Sequence, residues 1–218
     1  MTKKSEPKTK RPAAGAAVLQ SDVTDSIAFA LFRELARTGY AALSIEAVAR
    51  RAGVGKAAIY RRWPSKLEMV SSLFTEVGAQ LAEVPDTGSL HGDVKAMVER
   101  NHALLRRPLV NRILPDLHAE MRRTPALAAV VRSGVQYERR LRGQAVLRRA
   151  MDRGELSPGL DVDLALDLLG APIYWRAIVT AQPTPPDYVD RLTLMILGGL
   201  RALSDLAAPE TKDPARAR

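Results

Sequence analysis

Apolar residues return every three or four positions between Asp22 and Thr38, at Val23, Ile27, Ala30, Leu31 and Leu35, and Gly39 follows them. That period predicts a helix with one buried face, which the glycine stops. The next stretch, SIEAVARRAGVGKAAIYRRWPSKLE from Ser44 to Glu68, is punctuated far more closely. Ser44 is placed to cap a short helix over Ile45 to Ala52, its hydroxyl accepting from an otherwise unpaired first-turn amide. Gly53 supplies the backbone freedom that ends that helix. A second short helix, about Gly55 to Arg62, closes at Trp63-Pro64, because proline disfavours helical geometry in the residue before it. Ser65 and Glu68 form a capping box that opens a long helix to Glu83, with Leu67, Val70, Phe74, Val77 and Leu81 on one face. Ala47, Val48, Val54, Ile59 and Trp63 are spaced to close a small core against the first helix. Two short helices around a glycine turn, inside one basic stretch, predict a helix-turn-helix.

After a loop at Pro85 to Ser89 the pattern predicts five more helices. They run from Leu90 to Leu105, from Leu109 to Arg122, from Thr124-Pro125 to Arg153, from Asp161 to Thr180, and from Thr184-Pro185 to Leu206. Pro115 must kink the second of these or mark its true start. No period-2 alternation long enough for a strand occurs, so the expected fold class is all-α. The expected organisation is a disordered basic arm (1–20), a three-helix helix-turn-helix domain (21–68), a helical ligand-binding and dimerisation domain (69–208) and a charged tail (209–218). With 218 residues, 46% of them hydrophobic, the chain can bury a sizeable core.

Charge sharpens the picture. The formal net charge is +9, and residues 1–78 hold 13 Lys/Arg against 7 Asp/Glu, so most of the excess sits in the first third. A basic helix-turn-helix points to double-stranded DNA. Tyr60 and Lys66, with Ser44 at the amide end of its helix, are expected to hold phosphates. Lys56, Ala57, Ala58, Arg61 and Arg62 are candidates for facing the major groove. An arginine can pair bidentately with guanine, and alanine methyls can meet thymine methyls. Arg61 and Arg62 point apart on a helix, so one is expected to read bases while the other holds a phosphate. Lys8, Lys10 and Arg11 are candidates for a minor-groove arm.

Other chemistry is sparse. There is no cysteine, and the three histidines, His91, His102 and His118, are scattered. No Gly-rich phosphate loop, HExxH pair or nucleophile-base set is present, so neither catalysis, a metal site nor a cofactor is expected. The alanine-rich run from Ala13 to Leu19 is too short and weakly apolar for a signal peptide. No stretch approaches the roughly 20 apolar residues of a membrane span, and a cytoplasmic location is expected.

The residues Thr38-Gly39-Tyr40, Ser44 to Gly53, and Val54 through Ile59-Tyr60 to Pro64-Ser65-Lys66 together resemble the TetR family of transcriptional regulators. Arg149 to Leu156, followed by Asp161 to Leu169, is similar to the regulatory domain of members with a Tyr-Arg-Arg-Trp segment, and Lys10-Arg11-Pro12 looks like the arm of some members. Gly55, Lys56, Ala57 and Ala58 depart from the family, which often has hydroxyl side chains there. The resemblance implies a ligand pocket among the helices from Leu90 to Arg153, with Met97, Leu104, Leu117, Met121, Tyr137, Tyr174 and Trp175 as candidate lining, and His102 and His118 as candidate polar contacts. It implies a homodimer that binds a palindromic operator and is released by a small-molecule effector, most plainly as a repressor. The last two helices are apolar over more than one face, and Leu164, Leu168, Leu192, Met195, Ile196 and Leu200 are the dimer candidates. Arg139, Arg140, Arg142, Arg148 and Arg149 are expected to form a solvated face. The alternative is an architectural DNA-binding protein with no effector.

Overall fold

The structure is a computed structural model that describes residues 14–80 and 85–207, with side chains from 23 to 76 and from 85 onward. Among the described residues every regular element is helical: α1 (Ala14–Thr38), α2 (Ile45–Ala52), α3 (Lys56–Tyr60), α4 (Lys66–Gln80), α5 (Leu90–Leu105), α6 (Pro108–Met121), α7 (Pro125–Val131), α8 (Tyr137–Asp152), α9 (Val162–Tyr174) and α10 (Tyr188–Ala207). Helix α1 begins at Ala14, inside the segment expected to lack structure, while Lys8, Lys10 and Arg11 lie outside the described residues.

Local chemistry sets most of the ends. The Ser44 hydroxyl accepts from the Ala47 amide, Gly53 ends α2 at φ 67°, and the Asp161 carboxylate accepts from Leu164 at the start of α9. Ser65 accepts from the Glu68 amide at 3.1 Å and bonds the Glu68 carboxylate at 3.3 Å. Two expected caps are absent. Thr124 precedes α7 but turns its hydroxyl to Glu120, and α10 starts at Tyr188 rather than Thr184, whose hydroxyl pairs with His102 across 2.8 Å.

The long helix expected at Thr124–Arg153 is interrupted by a π-helical turn, Arg132–Gln136, and the one expected at Asp161–Thr180 ends in another, Trp175–Val179. The first holds Gly134, where a Cβ would stand 2.7 Å from Thr75 Oγ1, so the glycine lets α4 approach closely. The second follows Pro172, whose missing N–H leaves the ladder one bond short.

Packing does not respect the boundary drawn from the sequence at residue 68. One core cluster joins Ile27, Leu31, Val48, Ile59 and Trp63 of the helix-turn-helix to Leu73 of α4, Ile113 and Leu117 of α6, and Leu127 of α7. A second cluster joins α5, α8, α9 and α10 through Val94, Val98, Leu147, Leu169, Ile173, Ile196 and Leu200. Helix α6 serves both, since Val110 and Leu114 pack on the second cluster.

Buried charges tie elements that sequence spacing leaves unrelated. Glu34 of α1 accepts from Arg37 at 2.8 Å and from Arg51 of α2 at 2.6 Å. The Arg37 bond, helped by Arg51, outweighs burial and holds the Glu34 carboxyl below its ordinary range. Asp93 of α5 is fully buried, accepts from the Thr87 amide at 2.7 Å and hydroxyl at 2.9 Å, and pairs with Arg153 at 3.4 Å. Arg149 reaches the Pro85 carbonyl and the same carboxylate. The arginine row expected to be merely solvated is therefore partly engaged, with Arg140 also paired to Asp163 and Asp167. Asp93→Ala takes the acceptor from the Thr87 amide and one partner each from Arg149 and Arg153, which keep Pro85 and Glu155; it is expected to lower unfolding free energy by about 1–3 kcal/mol in urea denaturation.

Candidate nucleic-acid interface

Helix α3 is held by Ile59, which is wholly buried, and its outer face is left to solvent. Lys56, Ala57, Tyr60 and Arg61 are exposed, and Ala58 and Arg62 are half-buried. The eight residues expected to contact DNA are not equivalent. Tyr60 is 42% exposed, which fits a phenol aimed outward rather than a core tyrosine. Arg62 folds back to donate to the Ala58 carbonyl at 3.1 Å. The Arg61 guanidinium makes no hydrogen bond or ion pair among the described residues, so it is the freer of the two arginines to reach a base. Exposed Arg50, on α2, is equally free and was not singled out by the sequence pattern.

Lys66 has a different task from the one expected of it alone. Its ammonium donates to the Tyr40 carbonyl at 3.0 Å and the Ala41 carbonyl at 3.2 Å, and lies 4.6 Å from the centroid of the Tyr40 ring. It fixes the turn between α1 and α2 against the start of α4, with one donor left over. On the other side of that turn, Asp116 of α6 accepts from the Tyr40 amide at 2.9 Å.

At the front of the face, Glu46 gathers two donors. The Ser44 hydroxyl donates to its Oε2 at 2.8 Å, and the Lys56 ammonium forms an ion pair with its Oε1. Lys56 also lies 5.6 Å from the Tyr60 ring centroid. Hydrogen bonds from Lys56, from its own backbone amide and from Ser44 hold the Glu46 carboxyl down at about 2, so it stays ionised at any working pH.

Two family models match this chain: residues 29–73 match the bacterial regulatory proteins of the tetR family, and residues 84–196 match the tetracyclin repressor-like C-terminal domain. The chain belongs to the TetR family. An HTH-type transcriptional regulator of Bacillus subtilis is 30% identical over 183 residues, covering 82% of this chain and 90% of its own length. A DNA-binding transcriptional repressor of Mycobacteroides abscessus is 31% identical over 162 residues, covering 72% of this chain and 83% of its own. The solved structure of a TetR family transcription regulator superposes with a TM-score of 0.64 at 28% identity, covering 82% of this chain and 98% of that one. The protein is a DNA-binding transcriptional regulator of helix-turn-helix type.

In this TetR-family chain two open clefts lie among the described residues of the regulatory half. One, of about 440 Å³, is lined by His118, Met121, Arg122, Pro125, Ala128 and Arg132. The other, of about 820 Å³, lies beside the second π turn and includes Pro172, Tyr174, Trp175, Arg176 and Tyr188. His118 and Tyr174, one from each lining, meet between them at 2.5 Å with their rings edge to face. The seven residues expected to share one pocket do not. Met121 lines the first cleft and Tyr174 and Trp175 the second; Leu117 is buried core, Met97 packs half-buried in the second cluster, Leu104 is half-buried, and Tyr137 is exposed. Helical periodicity marks which residues turn inward, but not which inward space stays unfilled.

The dimer candidates divide in the same way. Leu192, Ile196 and Leu200 are core of the single chain, Leu168 is half-buried, and Leu164 and Met195 are exposed at 50% and 55%. Leu194, on the same outer face of α10, is 63% exposed. Among the described residues no helix is long and apolar enough to cross a membrane, and no group of three or more metal-ligating side chains gathers.

Tyr60→Phe removes the exposed hydroxyl expected to hold a phosphate, and should weaken binding to every duplex alike, roughly three- to tenfold. Arg61→Ala should instead lower the preference for the best site by about 1–3 kcal/mol while leaving non-specific binding nearly intact; fluorescence anisotropy on matched and scrambled duplexes separates the two. The His118 imidazole is held below its ordinary value of 6.5, first by burial and then by the charge of Arg139. Its neutral form therefore stabilises the fold fully above about 6.5, and that contribution is lost as pH falls through the lower folded value. Urea midpoints taken between about pH 7.5 and 5.5 should fall with pH, and less steeply in His118→Gln.

Proposed function

We propose that this regulator is a cytoplasmic homodimeric repressor that binds a palindromic operator through two copies of α3 and is released by a small-molecule effector. The observation that carries the ligand-responsive part is the double engagement of α6. Asp116 on that helix bonds the turn beneath the DNA reader, and His118 and Met121, within its last turn and a half, border the space open to a ligand. An effector that binds better when α6 is displaced shifts the population away from the DNA-competent state, by no more than its differential affinity.

Ser44, Lys56, Tyr60, Arg61, Arg62 and the free donor of Lys66 are the proposed protein side of the operator contact, with Ala57 and Ala58 facing thymine methyls. Selection from random-sequence duplexes, followed by release tests with a compound panel, checks the whole reading. A palindromic consensus and a compound that lowers operator affinity are expected. Selection that returns no consensus, with no releasing compound, sinks it in favour of an architectural DNA-binding protein.

The dimer reading rests on the outer faces of α9 and α10. Leu164, Leu168 and Ala171 recur at helical spacing on α9, Trp175 follows at the start of the π turn, and Leu194, Met195 and Gly198 continue the surface on α10. The two adjacent glycines separate the interior from that surface. A Cβ on Gly199 would stand 2.7 Å from Leu168 Cδ2, so close packing within the chain accounts for it. A Cβ on exposed Gly198 meets nothing within 4 Å, so the chain itself gives no reason to bear the roughly 1 kcal/mol that a mid-helix glycine costs. A second α10 crossing closely at that point would be such a reason.

The double substitution Leu194→Asp with Met195→Asp is expected to yield a folded monomer in sedimentation velocity, with operator affinity down at least about 100-fold. Gly198→Ala should weaken the dimer although alanine favours the helix. A dimer tightened by that change would count against the crossing point.

A further inference from the structure

We propose that Glu46 is an internal anion of the DNA-reading face: in the DNA-free protein its carboxylate holds the Ser44 hydroxyl and the Lys56 ammonium in place of a backbone phosphate, and it must release them for DNA to bind. The proposal rests on the DNA-contact roles proposed above for Ser44 and Lys56. Glu46 in this sense weakens binding to DNA of any sequence alike, and so sets a threshold that contacts to bases help an operator to overcome.

Three features carry this. Glu46 is the single acidic residue between Tyr40 and Lys66, a stretch that holds Arg50, Arg51, Lys56, Arg61, Arg62 and Lys66. Both of its carboxylate oxygens are used, Oε1 by Lys56 of α3 and Oε2 by Ser44, the cap of α2, and both donors belong to the proposed phosphate and groove contacts. A phosphodiester offers the same pair of acceptor oxygens bearing one negative charge. The pair is also highly exposed, with 49% of the Lys56 side chain and 55% of the Glu46 side chain open to solvent. Ion pairs so exposed contribute little to folding, so the fold has small need of this one. By contrast Arg51, the neighbour that ties α2 to α1, pairs with buried Glu34.

The consequence is an exchange rather than an addition. A lysine that arrives bare at a phosphate displaces a condensed counterion, and that release drives binding at low salt. Lys56 arrives already neutralised, so its contact with phosphate gains correspondingly less, and the displaced carboxylate is left close to the DNA backbone. Duplex of arbitrary sequence, which offers only backbone contacts, bears this cost without compensation. An operator adds contacts to bases from residues that Glu46 does not hold, such as Arg61.

The test uses the full-length protein as wild type, Glu46→Gln, Lys56→Ala and the double variant, titrated into a fluorescein-labelled duplex of arbitrary sequence at several salt concentrations. Glu46→Gln is expected to tighten non-specific binding roughly three- to tenfold and to steepen the log–log salt slope by up to about 0.9 per reading face. In the Lys56→Ala background most of that gain should vanish, because the donor that Glu46 holds is gone. Glu46→Ala serves the same purpose should the amide variant not fold, with circular dichroism as the check. Binding unchanged or weakened by Glu46→Gln overturns the proposal, as does an equal gain with and without Lys56, which would mark plain charge repulsion. If the folded wild type binds no duplex at all, the DNA-contact reading fails and takes the proposal with it. A wild type that binds while Glu46→Gln changes nothing overturns the Glu46 proposal alone.

Discussion

The turn at Gly39 to Ala41 is gripped from two sides, and the placement of the DNA reader depends on that grip. Asp116 reaches from α6 to the Tyr40 amide, while Lys66 reaches from α4 to the Tyr40 and Ala41 carbonyls. Gly39 makes the approach possible. It sits at φ 72°, and a Cβ there would stand 2.6 Å from Asp116 Oδ1. The turn connects α1 to α2, and Glu34 with Arg51 fastens those two helices together below it. Helix α3 is thereby fixed to the rest of the chain by short-range, directional bonds from one carboxylate and one ammonium to backbone groups, on top of the apolar core that Ile59 and Trp63 share with α4, α6 and α7.

Electrostatics then divides the basic end of the molecule into occupied and free charge. Arg51 and Arg37 are taken up by Glu34, Lys66 by two carbonyls, Arg62 by its own helix and Lys56 by Glu46. Arg50 and Arg61 remain open. A count of lysines and arginines therefore overstates what is ready to meet phosphate. It still reports the long-range field correctly, since pairing within the protein moves charge by only a few ångströms.

How far the sequence disclosed this arrangement follows from the range of the interactions. Ser44, Gly53, Ser65 and Asp161 act within three or four residues, so their caps and turns were legible, as was the family motif around Tyr60. Asp116 with Tyr40, His118 with Tyr174, and Asp93 with Arg153 join residues far apart in the chain, and no local pattern marks such pairs. Faces were legible only as apolar or polar. Helix α10 is apolar around much of its circumference, so Ile196 and Leu200 look equivalent to Leu194 and Met195 until neighbours are known, yet the first two are core and the others are open to solvent. Thr124 and Thr184 show the converse failure: a residue suited to capping bonds a different partner, Glu120 four residues back in one case and His102 far along the chain in the other.

Helix α6 is where these levels meet. Its residues Ile113 and Leu117, one turn apart, pack in the core shared with the DNA reader, and Val110 and Leu114, one turn apart on the adjoining stripe, pack on the core of α5, α8, α9 and α10. Asn111 donates to the Ala177 carbonyl in the second π turn, and His118 meets Tyr174 just before it. A close-packed helix that serves two cores cannot shift toward one without opening gaps in the other, because interiors hold few voids to absorb the motion. Pro115 lies between these contacts and removes the amide that would bond the Asn111 carbonyl, so the ladder is weakest midway along the helix. The Asp116 bond to the Tyr40 amide lies one residue past that weak point, so a bend of α6 at Pro115 would act on the Gly39 turn through this bond together with the apolar packing of Ile113 and Leu117.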